Sequence, residues 1–300
     1  MTRHRIAIAG RSHLHLADHL SALRRHGIEL VADPARADAV IAGGGPADRE
    51  RSLPELLRLG VPVLAEKPLA RSAAATAAVL RAGGDAVTCA MFLRCEPAMG
   101  GLKELLAAGA LGDLTAVHVV FSHAGWWQGR FTGTAAWMTD PVLLPGGGLT
   151  DLAVHLLDAL LWLDGSRSLT VRTAAAERPA ALRRPPGAPA GGGPVVAGAA
   201  LLDWAGAPVT LHAGWTSRPG GLRVEMDGSA GRAVLTGGVL SYDAGTGTGP
   251  RILCAGPAPA AEHAVDAFVE QLRGGTRVLP GAADILRCAA LSDDLAAAVS

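Results

Sequence analysis

Asp151, His155 and Asp158 stand at i, i+4 and i+7 of an otherwise apolar segment, Leu149–Leu163. On a helix that spacing puts all three on one face. The apolar remainder requires the helix to be buried. A buried carboxylate without partners costs roughly several kcal/mol, so the stripe needs partners, a metal or a wet cavity. A structural hydrogen-bonded pair and a catalytic pair both meet that need. A neutral imidazole, with an ordinary pKa of about 6.5, is suited to take a hydroxyl proton. Asp151 could orient that imidazole or hold a substrate hydroxyl. Asp158 reads better as a structural partner. Gly146, Gly147 and Gly148 precede the helix and permit close approach of backbone, ligand or cofactor.

A second segment with chemical promise is VPVLAEKPLA, Val61–Ala70. A buried strand there delivers Glu66, Lys67 and Pro68 to its carboxyl end, where open α/β sheets place ligands. A lysine so placed could stabilise negative charge on an oxygen. Taken alone, a lysine here reads first as a solvated loop residue. Pro68 fixes the chain direction and is a candidate cis residue.

These residues need elements to position them. Ile6–Ala9 reads as a buried strand ending at Gly10. A helix over Leu14–His26 has Leu16, Leu20 and Leu23 on one face and stops at Gly27. Strands are predicted at Ile28–Ala32, Asp38–Ala42, Val61–Ala65 and Ala86–Met91, with helices at Leu53–Leu59 and Ser72–Ala82. That alternation predicts a Rossmann-like parallel α/β sheet. Beyond Leu93 the pattern changes. A helix over Pro97–Ala108 leads to a long strand, Leu114–His123, and then a Trp- and Gly-rich loop, Trp126–Trp137. After the helix Leu149–Leu163, strands and turns alternate from Leu169 to Tyr242, which predicts a mainly antiparallel sheet. Arg184–Pro194 reads as a connection between strands. Helices over Pro259–Arg273 and Pro280–Ala298 close the chain. The expected division is a compact nucleotide-binding domain, 1–93, and an α/β domain for substrate and self-association, 94–300.

The 300 residues carry 27 basic and 27 acidic side chains, with 49% hydrophobic and 18% charged residues. Disorder would need lower hydrophobicity or a larger net charge. No broad basic face is available for nucleic acid. Aromatics are only 4%, so the cores must be built from Ala, Val and Leu. Four cysteines without a CxxC pair suggest free thiols in a reducing compartment. The chain lacks a signal-like start and an apolar run long enough to span a bilayer. A cytoplasmic protein is expected, with no membrane or nucleic-acid partner and no metal.

The strand-end EKP followed by GGGxxDxxxH resembles the Gfo/Idh/MocA family of oxidoreductases. RCEPAMGGLKELLAAGALGDLTAVHVVFS (Arg94–Ser122) is similar to that family's interdomain stretch. WMTDPVLLPGGGLTDLAVHLLDALLWLDG (Trp137–Gly165) is similar to its catalytic helix, and HAVDAFVEQLRGG with ILRCAALSDDLAAA to its closing helices. The resemblance implies a nucleotide-binding domain followed by an open antiparallel sheet, and NAD(P)-dependent redox chemistry on sugars, cyclitols or related molecules. It implies that Lys67 hydrogen-bonds the reacting oxygen and that His155 transfers the proton beside Asp151. With Trp137, these three are the expected substrate contacts. Self-association into a homo-oligomer is implied by analogy alone.

The nucleotide site departs from the family pattern. G-x-G-x-x-G lets backbone approach a pyrophosphate, but here the turn is Gly10-Arg11-Ser12-His13-Leu14-His15. Ser12 and His15 replace two glycines, and His15 is expected to crowd helix–strand packing. The interval from Gly10 to Asp38 is too short for the usual further strand–helix unit. If Ile28–Ala32 is the second strand, Asp33 falls where the ribose-binding acid belongs; if a later one, Asp33 is a loop residue. The expected cofactor contacts are Gly10, Arg11, Ser12, His13, Asp33, Gly43, Gly44, Glu66, Lys67 and Pro68, with NAD or NADP binding weakened or lost. His13, His15 and His19 raise a metal reading, weakened by His19 lying on a helix turning away. The alternative to a dehydrogenase is a redox-inactive relative using the Lys/Asp/His cleft for lyase, dehydration or cyclisation chemistry.

Overall fold

The computed structural model describes residues 4–179 and 193–299. The expected connection Arg184–Pro194 lies outside them except for its last two residues. Two sheets organise the rest. The first is parallel, with order β2-β1-β3-β4-β5. Its strands are β1 (Arg5–Ala9), β2 (Glu29–Val31), β3 (Ala39–Ala42), β4 (Val63–Ala65) and β5 (Val87–Cys89). The three inner-to-far strands β3, β4 and β5 are wholly buried, as short continuous apolar runs should be in a parallel sheet. Helices α1 (Leu16–Arg25), α2 (Pro46–Leu57) and α3 (Ala73–Leu80) connect them.

Strand β2 lies at the edge beside β1, so Ile28–Ala32 supplies the second strand rather than a later one. A single 3-10 turn, Pro34–Arg36, joins it to β3. The Asp33 carboxylate caps that turn, accepting from Ala35 N at 3.0 Å.

Helix α2 corrects the sequence expectation. It starts at Pro46, well before Leu53. Pro54 mimics a helix-opening proline but sits inside the helix. The true start has its own signals: Pro46 in the first turn, and Asp48 accepting from Gly45 N at 3.1 Å.

The second sheet has order β13-β12-β11-β10-β6-β9-β8-β7. Its strands are β6 (Leu114–Ser122), β7 (Leu169–Glu177), β8 (Ala197–Trp204), β9 (Ala207–Gly214), β10 (Gly221–Gly228), β11 (Arg232–Thr236), β12 (Val239–Asp243) and β13 (Arg251–Ala255). All neighbours are antiparallel except the central pair β6–β9. Helix α4 (Pro97–Ala107) packs on β11–β13. Helix α5 (Gly147–Leu163) packs on β6, β8 and β9, and is covered by α7 (Ala282–Ala297).

The last two helices return to the first sheet. Helix α6 (Glu262–Leu272) packs on α1, and α7 reaches α3 and β5. Among the described residues, no helix is long and apolar enough to cross a membrane, and all four cysteines are free thiols.

Candidate active site

The expected chemistry-bearing residues meet at one place. Lys67, one residue past the Glu66 that follows β4, reaches across to α5. Its Nζ donates to Asp151 Oδ1 at 2.7 Å and to the Asp151 carbonyl at 2.9 Å. Trp215 Nε1 donates to the other carboxylate oxygen, Oδ2, at 2.8 Å. Burial opposes the Asp151 charge, but the Lys67 ammonium and these hydrogen bonds hold its pKa below the ordinary value. Two of the three ammonium protons are thereby directed at Asp151, leaving one for another acceptor.

His155 shares the α5 face with Asp151 but not its hydrogen bonds. Asp151 is committed to Lys67 and Trp215, so the expectation that it orients the imidazole is corrected. Phe92 and Phe121 hold the ring instead, with centroids at 4.5 and 5.8 Å. Its Nδ1 is buried without a hydrogen-bond partner. Burial, and then the Lys67 charge, push the His155 pKa well below its ordinary value. The imidazole is therefore neutral around neutral pH.

A cavity of about 350 Å³ opens over these groups, with Lys67, Asp151, His155 and Trp137 in its wall. A more open hollow of about 540 Å³ shares its His15, His123 and Arg130 boundary. Trp137 also lies against the start of α2, where a Cβ added to Gly45 would be 3.3 Å from its ring.

The Lys67–Pro68 peptide is cis. Arg49, fully buried on α2, fastens this loop to the turn after β3. Its guanidinium donates to the carbonyls of Gly44 and Pro68, and to that of Leu69 at 3.3 Å. Sequence reading missed Arg49, although it stands four residues before Leu53 on the inward face. It also missed Trp215, Phe92 and Phe121. Nothing local in the sequence pairs these with α5.

Asp158 has a separate partner. Arg94 meets both its oxygens at 2.8 Å and bonds Asp284 Oδ2 at 3.0 Å.

The glycines that open α5 serve backbone packing. A Cβ at Gly147 would stand 2.2 Å from the Val195 carbonyl oxygen, and one at Gly148 would stand 2.3 Å from that of Val196. Main chain makes the close approach here.

The turn after β1 is filled by its own side chains. Gly10 (φ +76°) is followed by exposed Arg11 and Ser12. His13 folds inward, where its Nδ1 accepts the backbone N–H of His15 at 3.1 Å. Its Nε2 lies 3.3 Å from Glu66 Oε2. His19 Nε2 lies 2.9 Å from Glu66 Oε1, though not aligned as a hydrogen bond. Thus His19 turns toward His13, not away, and the two rings stack on a shared carboxylate. Burial opposes the Glu66 charge, but His13 and His19 hold its pKa well below the ordinary range. Among the described residues, no three His, Cys, Asp or Glu side chains form a metal-binding group.

His15 does not crowd the helix–strand contact. It stands at the N-cap position of α1 without a side-chain capping bond, faces Asp18 at 3.3 Å and borders the cavity. Gly43 sits directly on Gly10: a Cβ there would be 2.3 Å from the Gly10 oxygen. Gly44 takes a φ of +77°. Asp33 is exposed and used in its own turn, as described above.

A parallel sheet delivering a lysine from a strand end to a buried Asp/His helix on an open antiparallel sheet defines a class of two-sheet proteins. Residues 100–234 match the GFO/IDH/MocA C-terminal domain. Over those residues, a little under half of the chain, the sequence is similar to the Gfo/Idh/MocA family. It is 31% identical over 160 residues to inositol 2-dehydrogenase 2 of Saccharopolyspora erythraea, covering 52% of this chain and 43% of that protein. It is 32% identical over 155 residues to trans-1,2-dihydrobenzene-1,2-diol dehydrogenase of Oryctolagus cuniculus, covering 48% and 44%. The matched region thus spans less than half the length of these relatives. In fold, the chain resembles an inositol dehydrogenase homolog from Azotobacter vinelandii solved with NAD+. The TM-score is 0.79 at 14% identity, covering 99% of this chain and 95% of the other.

Proposed function

We propose that this protein is a nicotinamide-dependent oxidoreductase acting on a small polyhydroxylated or carbonyl molecule of the sugar or cyclitol kind. The observation that carries the proposal is the convergence of Lys67, Asp151 and His155 on one cavity. The dehydrogenase relatives and the NAD+-bound structural neighbour support it.

The residues fit a nicotinamide at this cavity. Its wall combines a lysine with a spare proton, a neutral imidazole and the aromatic faces of Phe92, Phe121 and Trp137. When bound, a nicotinamide ring supplies the hydride acceptor or donor. Oxidising an alcohol carbon removes a hydride and a hydroxyl proton together. The spare Lys67 N–H hydrogen-bonds the substrate oxygen and stabilises its developing negative charge. The neutral His155 takes the proton. Asp151 holds the ammonium in place and is itself held by Trp215. Lys67, Asp151, His155 and Trp137 are the proposed substrate contacts.

The test combines NAD or NADP with a panel of inositols and monosaccharides, following nicotinamide absorbance. Turnover of at least one polyol is expected. His155→Ala should lower it about 10²–10⁴-fold, the usual worth of a positioned acid or base. Near-normal turnover of that variant would remove His155 from the mechanism. Folded protein that binds no nicotinamide would leave the cofactor-free lyase or cyclase reading in its place.

A further inference from the structure

We infer that this chain grips its redox cofactor by the nicotinamide–ribose end and gains little from the phosphate turn or the adenosine half, so nicotinamide mononucleotide serves it nearly as well as the dinucleotide. The inference rests on the oxidoreductase reading above and concerns how the cofactor is recognised.

Three features of the first sheet support it. The first is His13. A phosphate at a helix N-terminus binds through free backbone N–H groups and the positive end of the helix dipole. Here the His13 ring already accepts the His15 N–H, and its other nitrogen faces Glu66. The His13 side chain is only 7% exposed. Beneath it lies a buried carboxylate, the wrong sign for a pyrophosphate neighbour.

The second feature is the contact between turns. In an open α/β sheet the ligand crevice lies at the switch point, here between the carboxyl ends of β1 and β3. The Gly10 and Gly43 turns meet there backbone to backbone, as the 2.3 Å approach to a Cβ at Gly43 shows.

The third is the missing wall. Beyond β2 the first sheet has no further strand among the described residues, and its crossover to β3 is one 3-10 turn. Asp33, the residue placed to take an adenosine ribose, has one carboxylate oxygen turned back to Ala35 N. The cavity beside Lys67, where the nicotinamide would sit, reaches His13 at its rim but is otherwise clear of these features.

The deciding experiment is calorimetric titration of the wild-type protein with NADH, NADPH, reduced nicotinamide mononucleotide and ADP-ribose. Dissociation constants for NADH and the reduced mononucleotide should agree within about threefold, with ADP-ribose binding at least about 100-fold more weakly than either. NADH or NADPH binding about 30-fold or more tightly than the mononucleotide would overturn the inference while leaving the oxidoreductase reading intact. Binding of no nicotinamide compound would overturn both. His13→Gly, checked for native circular dichroism, should open the turn. It should then strengthen binding of NADH and of the mononucleotide alike by about tenfold, since each carries a phosphate for that turn. No gain in either would count against His13 as the obstruction. The wild-type ratio decides the matter even if that variant does not fold.

Discussion

At the scale of single residues, His155 carries a proton-dependent consequence. Its ring lies between Phe92 and Phe121, and Nδ1 has no partner. Burial and the Lys67 charge depress its pKa in the folded state, so below about pH 6.5 the unfolded chain binds more protons at this position. The associated stability is present above that pH and is lost as pH falls toward the lower folded value. His13, depressed chiefly by burial, acts in the same direction. Denaturant unfolding from about pH 7 to 5 should show falling stability in the wild type and a shallower fall in His155→Gln. An identical slope would mean His155 is not held neutral. The placement of Lys67, Asp151 and His155 was legible because each lies at a readable point of one element, a strand end or a helix face. Trp215 was not, because it meets Asp151 from 64 positions away. The inward turn of His13 was also hidden, since a glycine-spacing pattern records which side chains replace glycine and not where they point.

At the scale of elements, helix α5 depends on Gly148 more than on any polar group at its start. A methyl group there would have to displace the Val196 carbonyl, which backbone cannot readily do, and the Trp215 ring at 2.7 Å. Gly148→Ala should therefore destabilise the fold by about 2–3 kcal/mol, the upper part of the usual overpacking cost. Because the same shift disturbs Trp215, substrate affinity should fall as well. Urea unfolding together with KM measurement checks both; an unchanged midpoint would show that the strand yields easily. The sequence announced this helix through its apolar run and its glycines. It did not say that the glycines face main chain, since a run of glycines fits a ligand and a packed strand equally. Helix α2 was misread for a comparable reason. Pro54 carries a helix-start signal that the surrounding helix overrides.

At the scale of the whole molecule, Arg94 ties the parts together. It lies in the 3-10 turn between the two sheets, and its guanidinium holds Asp158 on α5 and Asp284 on α7. The Arg94 and Asp158 side chains are almost fully buried, at 4% and 1% exposure. Removing one member of such a pair strands the other, at a cost of about 3–5 kcal/mol. Arg94→Met, which strands the Asp158 carboxylate, should lose about that much stability, while a paired Arg94→Met, Asp158→Leu variant should lose much less. Equal losses would show that the bridge itself, rather than the stranded charge, supplies the stability. Both sheet types were readable from strand and helix alternation. The return of α6 and α7 to the first sheet was not, because amphipathic periodicity identifies a buried face without identifying what buries it.

The parallel pairing at the centre of the second sheet has a consequence for the birth of the protein. Strand β6 is bounded by β9 on one side and β10 on the other, and His118 meets Thr210 from 92 positions away. A ribosome therefore completes β6 long before either neighbour exists. During that interval the strand has two open edges and alternating apolar side chains, the features that invite pairing with a foreign chain. The first sheet, whose strands all precede it, is then already in place to assemble. Synthesis order thus leaves the middle of the larger sheet, and with it the floor beneath α5, open until β9 and β10 emerge.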